Sequence, residues 1–136
     1  MRMRIVSLAG CLLLPATSGW AHHAFAAEFD VTKPVNLRGI VTRMEWINPH
    51  AWIHIDVKGA DGSVNNWMIE CGAPNGLLRR GFTKASLPNG TEIVITGWRA
   101  KDDSFRANGG DITFSDGKKL FLGNTNAENS RENQEK

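Results

Sequence analysis

The sequence predicts a mainly β domain, and three observations predict it. Residues Ala51, Ile53, Ile55 and Val57 share one face of an alternating stretch while Trp52, His54 and Asp56 share the other, the period of a half-buried strand. Turn formers recur between apolar runs, at Ala60-Asp61-Gly62-Ser63, Pro88-Asn89-Gly90 and Asp116-Gly117. β-Branched residues crowd the stretch EIVITGWRA, Glu92 to Ala100.

Taken in order, a first strand runs from Val35 to Trp46, interrupted by Gly39, which predicts a bulge or sharp bend. Ile47-Asn48-Pro49 is a turn, and the second strand covers Ala51 to Lys58. The turn at 60–63 leads into a third strand, Val64 to Cys71. Ala73 to Arg80 (APNGLLRR) makes about two helical turns, with Asn75 as a candidate cap and Gly81 as the stop. Glu92 to Ala100 is the fourth strand, and Lys101 to Gly110 is expected as a polar loop. Asp111 to Phe114 and Lys119 to Leu122 form a last hairpin. A β-β-β-α-β-β order, with a bent first strand and a short helix between strands three and four, predicts a small OB-like Greek-key β-barrel. A small β-sandwich is the alternative.

Residues 1–21 have the three parts of a secretory signal. Arg2 and Arg4 are the positive start, Ile5 to Ala16 the apolar core, and Gly19-Trp20-Ala21 supplies small residues, Gly19 and Ala21, before the cut. That core is shorter than the roughly 20 residues of a membrane span. A periplasmic or secreted protein beginning at His22 is therefore expected, with no membrane span. Leu8-Ala9-Gly10-Cys11 also matches a lipobox, so a lipoprotein anchored through Cys11 is the alternative. Residues 22–34 then form an amino-terminal arm and 35–123 the β domain. The polar run 124–136, NTNAENSRENQEK, is expected as a disordered tail.

The cut changes the charge. The chain has 16 basic and 14 acidic residues, and removing Arg2 and Arg4 leaves 14 of each. The remaining cations are scattered, so nucleic acid is not an expected partner. The cut also removes Cys11, leaving Cys71 with no partner for a disulfide. A buried, inert thiol is expected there, with a metal ligand or reactive thiol as alternatives.

The four histidines, at 22, 23, 50 and 54, carry the most chemistry. An amino-terminal His22 chelates a metal through its α-amine and imidazole together, and His23 adds a second imidazole and an ionisable amide. Nitrogen-rich sites of this kind favour copper before zinc. His50 and His54 stand about 13 Å apart on a strand and cannot share one ion. His50 is the candidate third ligand, brought beside the arm, and His54 is expected as a solvated strand position. Trp46, Trp52, Trp67 and Trp98 are expected mostly in the core, some on a stacking surface for a glycan or partner protein. Asn48, Trp52, Arg79 and Arg80 are candidate ligand-binding residues. Arg79-Arg80 also suits a helix C-terminus. No G-x-S-x-G, H-E-x-x-H, phosphate loop or C-x-x-C occurs, and Glu70 and Asp102-Asp103 show no partner at useful spacing, so no catalytic residue is assigned.

The segments HHAFAAEFD (22–30), GIVTRMEWINPHAWIHIDV (39–57), ECGAPNGLLRRGF (70–82) and GWRAKDDSFRANGG with DITFSDGKKLFLG (97–123) together resemble DUF6152, a family of small exported bacterial proteins of unknown function. The family's recurring pieces fall on His22, His23, Asn48, Pro49, His50, Asn75, Arg79, Arg80 and Gly81. The resemblance implies an exported single domain and no activity. Together these observations predict a non-enzymatic binding or accessory domain, with a transition metal as first ligand and a periplasmic protein or glycan as the alternative.

Overall fold

Antiparallel pairing follows from the alternation wherever a tight turn sets the register. A computed structural model describes residues 25–123. The leader with its lipobox, His22, His23 and the tail at 124–136 lie outside the described residues. After a helical turn at 25–28 come β1 (Phe29–Glu45), β2 (Trp52–Lys58), β3 (Val64–Glu70), the helix α1 (Pro74–Arg79), β4 (Glu92–Ala100), β5 (Arg106–Phe114) and β6 (Lys119–Phe121). β1 lies between β2 and β4, β2 pairs with β3, and β4 with β5, all antiparallel. β3 also pairs with β5 in parallel, Met68 to Glu70 against Arg106 to Asn108. The pairings therefore run β1–β2–β3–β5–β4–β1, a closed ring of hydrogen-bonded neighbours with β6 added beside β5.

Four boundaries differ from the expectation for physical reasons. β1 begins at Phe29, inside the stretch expected as an arm, because its first residues find partners on β4. A register shift between Phe29 and Pro34 accommodates the proline, which has no N–H to donate. The bulge in β1 falls between Val41 and Arg43, while Gly39 serves close packing: a Cβ there would lie 2.8 Å from the carbonyl oxygen of Asp56. Residues 106–110, expected as loop, are strand. The polar and glycine-rich run RANGG gives no alternation, yet β3 and β4 supply hydrogen-bonding partners on both sides. At α1 the cap is Ala73, without a side-chain bond, and Pro74 rather than Asn75 starts the helix with its pre-set φ. Gly81 ends that segment at φ +79°, as a left-handed stop requires.

The inward faces form one core. Ile53 and Ile55 meet Val41, Ile69, Ile93, Ile95 and Ile112, all buried, and α1 with the loop after it adds Leu77, Phe82 and Leu87. Each such side chain contributes roughly 1.5–3 kcal/mol on leaving water. Trp67 lies in this core, and Trp46 packs against it with its ring 6.4 Å from that of Phe82. Cys71 is buried as expected; burial, with Glu70 adding to it, pushes its thiol far above the ordinary range, so it stays protonated. Among the described residues no helix is long and apolar enough to cross a membrane.

Candidate functional site

The outward faces of the same strands carry the polar groups. Register places Trp52 opposite Glu70, Glu70 opposite Asn108, and Asn108 opposite Trp98, so these four cross β2, β3, β5 and β4 as one row. Residues opposite one another in such ladders project to the same face. His50, just before β2, extends the Trp52 side of the row: its Nδ1 lies 2.8 Å from Oε1 of Glu70. With Glu70 ionised, its carboxylate can only accept, so Nδ1–H donates; in the neutral imidazole that leaves Nε2 as the nitrogen with the lone pair.

Glu70 is nearly buried although charged, and what surrounds it explains how. Desolvation raises its pKa; His50 and Arg106 oppose that rise, and the nearby Glu28 carboxylate adds to it. Arg106 bonds Glu28 at 2.7 Å and lies over the rings of Phe29 and Trp52, at 5.9 and 5.8 Å from their centroids. One more polar group is enclosed. Asn108 Oδ1 is buried and has no hydrogen-bond partner, the one such side-chain atom among the described residues.

The helical turn at 25–28 is fastened to this same face. Phe25 meets Trp98 edge to face at 5.8 Å, and the Glu28 carbonyl accepts from the Lys101 amide at 2.9 Å. Lys101 Nζ donates to the Ala26 carbonyl. Phe25 therefore packs beside the row that holds Trp98 and Asn108.

A raised carboxyl pKa has a stability consequence of definite sign. A carboxyl that binds its proton more tightly when folded stabilises fully below its unfolded value, 4.5, and loses that contribution as pH rises through the folded one. Glu70→Gln removes this dependence. Thermal melts at a series of pH values should show the parent losing stability relative to Glu70→Gln as pH climbs from about 4.5. A difference in melting temperature that does not change with pH would contradict the burial argument.

A family described as being of unknown function, DUF6152, matches residues 11–109. The chain belongs to that family. The DUF6152 match takes in β1 to β4, α1 and the start of β5, and with them His22, His23, His50, Glu70 and Asn108. No curated protein matches the chain, and no solved structure does.

Of the other candidate residues, Asn48, Arg79 and Arg80 lie away from the row. Asn48 is exposed in the turn before His50, where the Asn48-Pro49 peptide is cis. Trp52 belongs to the row but is half-buried under Arg106. Arg79 and Arg80 border a separate hollow of about 310 Å³ with Gly72, Asn75 and Gly123. Arg80 is already engaged there, donating to the Gly123 carbonyl at 2.6 Å and lying over Phe121.

His54 is not the solvated position its alternation suggested. It is 6% exposed, with Nε2 2.7 Å from Glu45 Oε1 and 3.1 Å from Arg43. Both partners sit on β1 beyond its register shift, where Arg43 stands opposite His54. His50 and His54 thus engage different carboxylates. Glu70, Arg106, Asn108 and Glu28 are the site residues that the sequence did not single out. Glu70 was within reach: Trp52 and Glu70 lie equally far from Asp61 at the centre of the hairpin turn, which puts them opposite each other. Among the described residues no three His, Cys, Asp or Glu side chains cluster closely enough to hold a metal ion.

Proposed function

We propose that this chain is an exported, non-enzymatic accessory domain that binds a transition metal, copper before zinc, through the α-amine and imidazole of His22, the imidazole of His23 and Nε2 of His50. The observation that carries this reading is the His50–Glu70 pair. Metal-ligating histidines donate their second ring N–H to a carboxylate or carbonyl, which fixes the tautomer and raises the basicity of the ligating nitrogen. His50 has that arrangement at 2.8 Å. Its site is incomplete among the described residues, and the missing donors are those the sequence supplies just ahead of Phe25. The turn at 25–28, fastened to the same face, supports their arrival there.

The closed ring of pairings, the parallel β3–β5 contact and the helix between β3 and β4 support an OB-like Greek-key barrel as the scaffold. The leader at 1–21 supports a periplasmic or secreted location. A glycan or partner protein stacked on Trp52 or Trp98 has less behind it, since Arg106 lies over the first ring and Phe25 packs against the second.

The test is a copper(II) titration of protein exported and processed in a bacterial host, its first residue fixed by mass spectrometry. The His22 form should bind at least about tenfold more tightly than a form with one extra amino-terminal residue. His50→Ala should weaken binding by about 10- to 100-fold, the range for disturbing such pairs. Equal affinity for all three forms would defeat the reading.

A further inference from the structure

We propose that Arg79 and Arg80 bind a small doubly charged oxyanion, a short phosphate ester, in the hollow between α1 and the chain that follows β6. The site shares no residue with the His50–Glu70 pair and does not depend on a metal there.

Charge marks the place. Among the described residues Arg38, Arg43 and Arg106 each meet a carboxylate. Arg79 and Arg80 do not, and no acidic side chain borders the hollow of about 310 Å³ that they share. A guanidinium does not lose its proton in proteins. The hollow therefore holds two positive charges that nothing in its lining balances.

One of the two is held ready. Arg80 donates to the Gly123 carbonyl at 2.6 Å and lies over the Phe121 ring, 5.0 Å from its centroid. That ring is packed on Gly123, where a Cβ would come within 2.6 Å of it. Both partners are neutral, so they fix the guanidinium without cancelling its charge, and the rest of its N–H fork remains for a ligand. Order present before binding lowers the cost of binding. Arg79 is exposed and supplies the second fork, and Asn75 adds an amide to the lining.

The chemistry of the lining narrows the ligand. Planar guanidinium forks match carboxylate and phosphate oxygens. Two cations favour a dianion over a single carboxylate, and a phosphate monoester carries about 1.5 to 2 negative charges at neutral pH. Small-molecule sites start at roughly 300 Å³, so the hollow has room for a phosphate and a short organic group. Gly76 leaves that room: it lies on the lining, and a Cβ on it would meet nothing within 4 Å. Its place inside α1 suits a larger residue, whose side chain would occupy the space.

The test is a calorimetric titration of the exported protein, treated with chelator, with inorganic phosphate, glycerol 2-phosphate and acetate at constant ionic strength. Both phosphates should bind at one site, and acetate more weakly than either. Arg79→Gln and Arg80→Gln should each weaken phosphate binding by about tenfold or more, as the loss of a charge-assisted bond does. Gly76→Leu keeps both guanidiniums and should abolish binding of the ester. No saturable binding of either phosphate by the parent would overturn the proposal, as would acetate binding the more tightly. Ester binding that survives Gly76→Leu would place the anion elsewhere and is equally fatal. Arg80→Gln also removes a contact of the fold, whereas Arg79 bonds nothing among the described residues; undiminished binding by Arg79→Gln therefore defeats the proposal even if Arg80→Gln folds poorly.

Discussion

Gly97→Ala is expected to destabilise the fold by about 4 kcal/mol, at the upper end of single-substitution effects. For a domain of this size that is roughly 20 °C in melting temperature, measurable by circular dichroism. Gly97 pairs with Gly109, next to Asn108, where β4 and β5 shift register, and a Cβ on it would overlap the Asn108 carbonyl oxygen. Overpacking against a side chain commonly costs about 1–3 kcal/mol because the neighbour rotates away. Here the obstacle is backbone. Asn108 cannot retreat, because its other side is paired with Glu70 on β3. A variant melting within a few degrees of the parent would show that the two strands are not held so closely.

Phe82→Ala is expected to cost about 4 kcal/mol, within the range for emptying a buried aromatic site. Phe82 is 1% exposed and packs between the strand core and Trp46, whose ring stacks at 6.4 Å with planes 27° apart. It lies in the segment after Gly81, which β-strand pairing does not hold in place. The loop can relax inward only as far as the Phe82 amide bond to the Leu77 carbonyl, at 3.0 Å, allows. Urea unfolding followed by tryptophan fluorescence would measure the loss, and a change below about 1 kcal/mol would mean that the loop collapses to fill the space.

The sequence revealed the strands that obey local rules. The face of Ile53 and Ile55 was readable because alternation and a tight turn act within a few residues, and β4 was readable from its β-branched content. Arg106 to Gly110 was not, because what makes it a strand is a pair of distant neighbours rather than its own composition. The candidate site divides in the same way. His50 stood out by residue type, whereas Glu70 looked partnerless until the β2–β3 register set it beside His50. His54 misled because alternation decides which face a residue takes and not what covers that face; Arg43 and Glu45, placed by a bulge, cover it. Asn108 gave no signal at all, since an orphaned acceptor is defined by what surrounds it.

The parallel contact between β3 and β5 bears on how this chain reaches its native state. Its partners, Met68 to Glu70 and Arg106 to Asn108, are separated by a helix and a whole strand, so the contact closes a long loop. Loop entropy must be overcome before such a pairing yields anything, which places the domain among slower, high-contact-order folders. Hairpins such as β2–β3 can form early; the seam is of the kind that forms last. Glu70 and Asn108 face each other across that seam. The surface they share does not exist in a half-folded chain, and whatever binds there slows unfolding by stabilising contacts absent from the transition state.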